Sequence, residues 1–511
     1  MASWLNMASR RLICLSALLA ALATAAAARE SAHSIPIRLH PKNPHYFMFR
    51  GKAVALITSG EHYGAVINPD FDFHKYLVTL EAGGLNYTRL FPGSYVEAPG
   101  KSFGILRNDL APTPGRFLAP WARGTIGEYA GGGNKFDLDQ WNPEYFRRFH
   151  DFLTEAAKRG IVVEISLFSS QYGDMQWDLS VFNPVNNVNG TNAIDRKKVN
   201  TLENGNILGY QERYVQKLVR EANSFDNVIF EIQNEPFSDR PVVERVVNPY
   251  LFPPSRNQFP NTIELADDLS LAWQARVAQW ITSEEASLPN QHSIAQNYCD
   301  FGLPVKGLLP GVSIVNFHYA FLDAVSANYG LGKVIAYDET GFLGRDDDAY
   351  RREAWNFMLS GGGAFDALDY SFTVGHEDGT DTEPNGPGGG SPTLRRQLRV
   401  LSEFLGKLAL ADLAPDQHTV KHAAGAYARV LSNPGRQYAM YFDGNGPAEV
   451  MLELPAGEYS GEWINTKTGE TEGLERFRHR GGEKTLQIPA FQNGIALRLE
   501  KKIPNVPQAQ H

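Results

Sequence analysis

The sequence predicts an α/β fold, a (β/α)8 TIM barrel followed by a small antiparallel β-sandwich domain. Three observations carry that expectation. From about Ile35 to Leu405, short β-rich runs alternate with amphipathic helical stretches, at intervals that fit repeated strand-helix units. Those runs number eight, the count a closed parallel barrel requires. After Asp412 the pattern changes to short alternating stretches separated by turn signals, the mark of a sandwich.

The N-terminus comes first in the chain and stands apart. Arg10 and Arg11 precede an apolar stretch from Leu12 to about Ala25, followed by Ala26, Ala27 and Ala28. This is the layout of a cleaved secretory signal over residues 1–28, and the stretch is shorter than the roughly 20 residues a membrane-spanning helix needs. The expected location is secreted or periplasmic, with no membrane association after cleavage. Cys14 would leave with the signal, so only Cys299 remains. No internal disulfide and no metal site built from several cysteines can then form.

The expected barrel, residues 35–405, has candidate strands at Ala53 to Ser59, Leu85 to Leu90, Val162 to Phe168 and Val228 to Ile232. The other four are Ser293 to Asn297, Val312 to Phe317, Val334 to Tyr337 and Ala364 to Tyr370. Before the third strand, Asn142 is positioned to cap a helix, Pro143 to occupy its first turn and Gly160 to stop it; Tyr145, Phe146, Phe149, Phe152, Leu153 and Ala156 give it one apolar face. A second helix, about Leu208 to Ala222, precedes the fourth strand. Two segments break the alternation, Phe237 to Thr262 and Thr373 to Ser391. Both follow predicted strands, so they either shape a substrate cleft or are insertions without a role.

The expected sandwich, residues 412–501, has strands at Tyr427 to Leu431, Gln437 to Phe442, Ala448 to Leu454, Gly461 to Asn465 and Gly494 to Leu499. The sequence leaves open whether it binds polysaccharide or buttresses the barrel. Residues 502–511 are expected to be a disordered tail. With 511 residues, two domains are the natural expectation, and 43% apolar content supplies their cores. Asp and Glu number 57 against 48 Lys and Arg, a net charge of -9 without long like-charge blocks, which argues against a nucleic-acid surface.

Candidate chemistry sits at strand ends. The run Val228 to Ile232 breaks into Asn234, Glu235 and Pro236, and the run Val334 to Tyr337 ends on Glu339. Two carboxylates at the mouth of a parallel barrel suit paired-carboxylate chemistry, with one held protonated as acid/base and the other ionised as nucleophile. Arg89 closes the second strand and would keep Glu339 ionised. Asn234 beside Glu235 could hydrogen-bond a substrate hydroxyl, and His318 and Tyr319 close the sixth strand within reach of Glu339 or substrate. Asp338 precedes Glu339, so its side chain is expected to point the other way and to support the site without touching substrate.

Gly84 to Arg89, Asn234 with Glu235, His318 with Tyr319, and Glu339 together resemble the barrel landmarks of the clan of retaining glycoside hydrolases that includes family 5, the cellulase-like and mannanase family. The resemblance covers roughly residues 50 to 375. It implies that Glu235 is the acid/base, Glu339 the nucleophile, and Arg89, Asn234 and Tyr319 their supporting groups. It implies hydrolysis of β-glycosidic bonds in oligo- or polysaccharide through a covalent glycosyl-enzyme intermediate, with a carbohydrate substrate and no cofactor. The chain departs from family 5 in three places: Tyr370 with Asp369 and Ser371 stands at the expected strand-eight Trp, no His follows strand three, and Thr340 and Gly341 follow the nucleophile. The C-terminal stretch around Tyr459 and Trp463 is similar to small sandwich domains appended to such barrels.

Trp177, Tyr172, Tyr95, Tyr63 and Trp121 lie in predicted post-strand loops and could supply flat surfaces for sugar rings. Glu61 and His62 follow the first strand and could bind sugar hydroxyls. His376, Glu377 and Asp378 form a cluster in a Gly-rich loop, where solvation is expected and a metal is not. A non-catalytic carbohydrate-binding protein is the alternative; a metal-dependent barrel hydrolase would want closely spaced His ligands on the first strand, where none occur. Sequence leaves the sugar, the cleavage mode and the oligomeric state open.

Overall fold

The structure is a computed structural model that describes residues 35–245, 262–320, 323–446 and 449–502. The expected signal segment and the tail from 503 onward lie outside the described residues. Among the described residues no helix is long and apolar enough to cross a membrane.

Eight parallel strands build the barrel: β1 (Leu56–Gly60), β2 (Tyr87–Leu90), β3 (Val162–Ser169), β4 (Val228–Asn234), β5 (Ser293–Asp300), β6 (Val312–His318), β7 (Val334–Thr340) and β8 (Ala364–Leu368). They pair in sequence order from β2 to β8, and β8 returns to β1. The remaining seam, β1 beside β2, is bridged mainly by Asn86, with one backbone bond beyond the strand ends from the Phe91 N–H to the Tyr63 carbonyl at 3.0 Å. Asn86 accepts from the Ile57 N–H at 2.8 Å, donates its own N–H to the Ile57 carbonyl at 3.2 Å and its amide to the Ala55 carbonyl at 2.9 Å. β3, β4 and β7 are buried along their whole length, which is why their sequences read as continuous apolar runs and not as alternating ones.

The principal helices are α1 (Phe73–Ala82), α2 (Pro143–Lys158), α3 (Ile207–Ala222), α4 (Asp268–Glu285), α5 (Asp323–Asn328), α6 (Asp347–Leu359) and α7 (Pro392–Gly406). Every strand but β5 leads to one of them. In α2 the Asn142 side chain accepts from the N–H groups of Glu144 and Tyr145, Pro143 opens the helix, and Gly160 follows it in the left-handed region at φ 70°. The six apolar residues assigned to its inner face are all buried.

The barrel interior is layered. Its floor is apolar: Leu56, Val162, Ile229, Ile314 and Val334 pack with Ile37, Phe47 and Phe49 from the segment that precedes the barrel. Above it lies a polar layer of Glu164, Glu231, Asn316, Asp338 and Asp366 around Arg89, all essentially inaccessible to solvent. The candidate site forms the third layer, at the carboxyl ends of the strands.

Of the two irregular segments, the one after β4 contains a strand, Pro241–Arg245, paired antiparallel with Thr262–Ala266, while 246–261 lie outside the described residues. Thr373 to Ser391 carries neither helix nor strand.

The C-terminal region is a two-sheet sandwich, six strands against three. All five expected strands are present, Ala448 alone lying outside the described residues. Thr471–His479 and Gly482–Gln487 add strands that sequence reading passed over. Their residues are mostly exposed, so the apolar alternation that betrays a half-buried strand is missing. Strand Gln437–Gly444 shows how the sandwich joins the barrel. Tyr438, Met440 and Phe442 enter the sandwich core, whereas Ala439 and Tyr441 belong to the barrel's hydrophobic cluster. Tyr441 stacks on Trp355 of α6 at 5.4 Å, and the buried Arg351 donates to Thr466 Oγ1 and to the Asn493 carbonyl at 2.6 Å.

Candidate active site

Strands β2, β4, β6 and β7 deliver their last residues to one place. Arg89, fully buried at the end of β2, donates through Nη1 to Glu339 Oε2 at 3.0 Å and through Nη2 to Glu231 Oε2 at 2.6 Å and Asn234 Oδ1 at 2.8 Å. The Tyr63 ring covers its guanidinium at 4.7 Å. Tyr319 donates its hydroxyl to the other Glu339 oxygen at 2.9 Å. His318 Nδ1 lies 3.0 Å from Glu235 Oε1 and 3.8 Å from Glu339 Oε1, so one imidazole nitrogen stands between the two carboxylates. Asn234 turns its amide nitrogen to the Tyr172 hydroxyl at 2.8 Å.

Strand alternation would send only one member of each adjacent pair into the barrel, yet three pairs send both. Glu235 and Tyr319 leave their strands in the left-handed region, at φ 45° and 47°, and so turn back toward the site that Asn234 and His318 already face. Asp338 and Glu339 share the interior because the β7 pairing with both neighbours shifts register there. This corrects the expectation for Asp338. Its carboxylate takes a hydrogen bond from Asn316 at 3.0 Å and lies 3.4 Å from Arg89 and 3.6 Å from His318 Nε2, beneath the site and inside the barrel. Tyr63 and Tyr172, which also line the site, are left-handed too, at φ 70° and 51°. Such backbone is costly for residues with a Cβ and persists where surrounding packing holds it, commonly at functional sites.

The electrostatics follow from burial and an excess of acids. Burial opposes the charge on Arg89, but Glu231 and Asp338 hold it firmly charged. Burial likewise opposes the charge on His318, but Glu339, Asp338 and Glu235 keep its imidazole protonated well above the ordinary histidine range. Glu235 is desolvated, which would raise it, yet its hydrogen bond and charge contact with His318 bring it below the usual carboxylate range. Glu339 goes the other way, raised by burial first, against the pull of His318; both shifts run opposite to the expected protonated Glu235 and ionised Glu339, because His318 is charged and lies nearer Glu235. Deeper in the barrel, Glu164 is pushed up to about 8 by burial and by Glu231 and Asp338, and Asp366 is raised to about 8 by burial. Burial favours the neutral form of both, and Glu164 takes a hydrogen bond from Tyr87 at 2.6 Å.

A cavity of about 40 Å³ opens over these groups. Asn234, Glu235, Tyr319 and Glu339 line it, together with His62, Tyr63, Tyr95, Glu97 and Tyr172. Several sequence candidates do not reach it. Glu61 is buried in its own turn, accepting from the N–H groups of Gly64 and Ala65, so it shapes the loop after β1 and is not available to a ligand there. Trp177 packs half-buried against the hydrophobic core, and Trp121 is buried against Trp141 and Tyr214. Tyr370 is buried against Gly341, Gly386 and Gly388, beside the cavity and not within its lining.

Other residues of the site went unnoticed in the sequence. Glu164, Glu231 and Asn316 had a local signal, a polar residue inside a strand otherwise apolar on both faces. Asp300 ends β5 opposite His318 in register, buried, with its carboxyl raised well above the usual range by burial and by Glu235. Glu97 lies in the long connection after β2, where nothing in the local pattern marks it.

Among the described residues two sets of side chains bring possible metal donors within 4.8 Å of one another: Glu231, His318 and Asp338, and Glu235, Asp300 and His318. In both, Arg89 or protonated His318 already supplies positive charge to the carboxylates. The His376 loop is tied down by protein contacts. Glu377 accepts from the N–H groups of Asp72 and Gly375, and Asp378 pairs with Lys75.

No protein-family model matches the chain, and no curated protein matches it. Solved structures share its fold. A glycoside hydrolase superposes with a TM-score of 0.58 at 11% identity, over 92% of this chain and 97% of its own. A glycoside hydrolase of family 5 from Bacteroides vulgatus ATCC 8482 superposes with a TM-score of 0.59 at 11% identity, over 93% and 95%. The likeness extends through both the barrel and the sandwich and is one of fold.

Proposed function

We infer that this chain is an exported β-glycoside hydrolase that retains anomeric configuration, with Glu339 as nucleophile and Glu235 as acid/base. The observation that carries the reading is the pairing of Glu235 and Glu339 around His318 Nδ1, at 3.0 and 3.8 Å. Two oxygens so placed are no more than about 6.8 Å apart, a limit that admits the roughly 5–5.5 Å separation of retaining pairs and only the lower edge of the roughly 6.5–9.5 Å range of inverting ones. The glycoside hydrolases of the same fold lend the reading further support.

In this mechanism Glu339 attacks the anomeric carbon as the glycosidic oxygen leaves with a proton from Glu235. Arg89 and the Tyr319 hydroxyl, each 3.0 Å or less from a Glu339 oxygen, orient the nucleophile and favour its ionised form. The proton that Glu235 delivers is held between it and His318. As Glu235 protonates the leaving oxygen, the imidazolium proton passes along the His318–Glu235 hydrogen bond, so the imidazole ends neutral and Glu235 ionised, ready to act as base. Water then attacks the glycosyl ester, Glu235 takes its proton, and His318 is recharged. Asn234, held by Arg89 and Tyr172, is placed to bind the hydroxyl beside the reacting carbon as positive charge develops there.

The test is trapping with activated 2-fluoro β-glycosides, followed by peptide mass mapping. Labelling is expected at Glu339 and is expected to vanish in Glu339→Gln. Hydrolysis that survives replacement of both Glu235 and Glu339 by Gln would sink the assignment.

A further inference from the structure

The connection after β2 is strapped to the one after β8. The Leu106 N–H donates to the Asn385 carbonyl at 2.8 Å, the Arg107 N–H donates to Asn385 Oδ1 at 2.6 Å, and the Asn385 amide returns to the Arg107 carbonyl at 2.8 Å. The Arg107 guanidinium adds Asp381 at 2.8 Å and the Glu383 carbonyl at 3.0 Å. Because β1 lies between β2 and β8 in the barrel, the strap crosses over the end of β1, where His62 sits. Ile105 of this strap and Leu368 at the end of β8 both line the cavity. A polymer chain leaving the cavity on this side would have to break those five hydrogen bonds.

Against that closed side stands a polar pair. The Glu97 side chain is 2% exposed, accepts from the Tyr95 hydroxyl at 2.9 Å and from Asn108, and lies 3.5 Å from His62 Nε2. Neither ring nitrogen of His62 has a hydrogen-bond partner. A carboxylate has about four acceptor positions and an imidazole offers both a donor and an acceptor, so together they suit neighbouring hydroxyls of one sugar. Phe91, Phe103 and Tyr172 supply the apolar surface for its ring.

We propose that the site takes only the non-reducing terminal sugar of its substrate, with Glu97 and His62 binding neighbouring hydroxyls of that sugar, one of which an internal residue has lost to its next glycosidic bond. This rests on the glycosidase reading and adds the cleavage mode to it. Attack at the anomeric carbon over Glu339, with the leaving oxygen at Glu235, directs the opposite end of the sugar to the strapped wall. An internal residue would offer Glu97 and His62 one hydroxyl fewer and would drive its neighbouring sugar into the strap.

The test uses the full chain with β-linked oligosaccharides tagged at the reducing end and with the corresponding soluble polysaccharides. Expected are release of monosaccharide alone, tagged products shortened one residue at a time, and unchanged polymer viscosity. Internal fragments or falling viscosity from an enzyme that labels at Glu339 would overturn this inference and leave the glycosidase reading standing. Absence of both labelling and hydrolysis across the sugars would overturn that reading, and the cleavage mode with it. Glu97→Gln is expected to lower kcat/KM at least 100-fold on the best aryl β-glycoside, and far less on its analogue lacking the terminal hydroxyl. Equal losses on both would remove Glu97 from recognition; the wild-type product pattern does not depend on that variant folding.

Discussion

His318 decides how protons are distributed among the residues at the barrel mouth. It lies between Glu235 and Glu339, and burial, which would neutralise it, is outweighed by Glu339, Asp338 and Glu235. Raised by burial, Glu339 sets the acid limb of activity, because it must lose its proton to attack; that limb should lie above the usual carboxylate range. The basic limb reports loss of the proton shared by His318 and Glu235, and should lie above the ordinary histidine value of about 6.5. In His318→Gln the shared store is gone and the basic limb should move to lower pH, to the value of Glu235 alone. A kcat/KM profile with an unmoved basic limb would show that His318 does not feed the acid. Glu235, Glu339, Arg89 and His318 are legible in the sequence because they end strands. The inward turn of Asp338 is not, because a register shift in β7 is set by pairing with β6 and β8 and leaves no mark in β7 itself.

Among the elements, the seam between β1 and β2 is the place where one side chain does the work of a strand ladder. Asn86 makes three hydrogen bonds across it, two of them through its side chain. Asn86→Ala would leave a buried N–H and a buried carbonyl without partners. At about 1–3 kcal/mol for each such group, a loss of roughly 2–6 kcal/mol is expected. Asn142→Ala, which removes only the cap of α2, should cost about 1 kcal/mol. Urea unfolding of the two variants checks the order, and equal losses would show that the seam does not depend on Asn86. The helix and strand positions were legible because their signals are local: a cap, a proline, a glycine, an apolar face. Thr471–His479 was not, since its exposed residues carry no burial pattern.

Across the whole molecule, barrel and sandwich share one hydrophobic cluster, which contains Trp355 and Leu398 from the barrel helices and Leu431, Tyr441 and Ala496 from the sandwich. Arg351 crosses the same boundary with no exposure to solvent. The two parts are therefore expected to unfold together. A single calorimetric transition should be seen, and Arg351→Ala should lower its temperature while keeping it single, at a cost of roughly 2–3 kcal/mol for lost hydrogen bonds to a charged group. Two separate transitions in the wild-type protein would show that the junction does not couple them.

The sequence by itself determined the alternation of strands and helices, the barrel, the sandwich, and the strand ends at which the paired glutamates stand. These depend on periodicity, capping and turn residues, all properties of neighbours along the chain. Only the tertiary structure decided that Glu61, Trp177 and Tyr370 stand outside the cavity, that Glu97 stands within it, and that Asp338 faces inward. It also decided that Arg107 and Asn385, far apart in the chain, join to close one side of the cavity. The reason is physical: where a side chain points after it leaves a strand depends on left-handed turns, register and the loops packed against it, which are settled by contacts between distant segments.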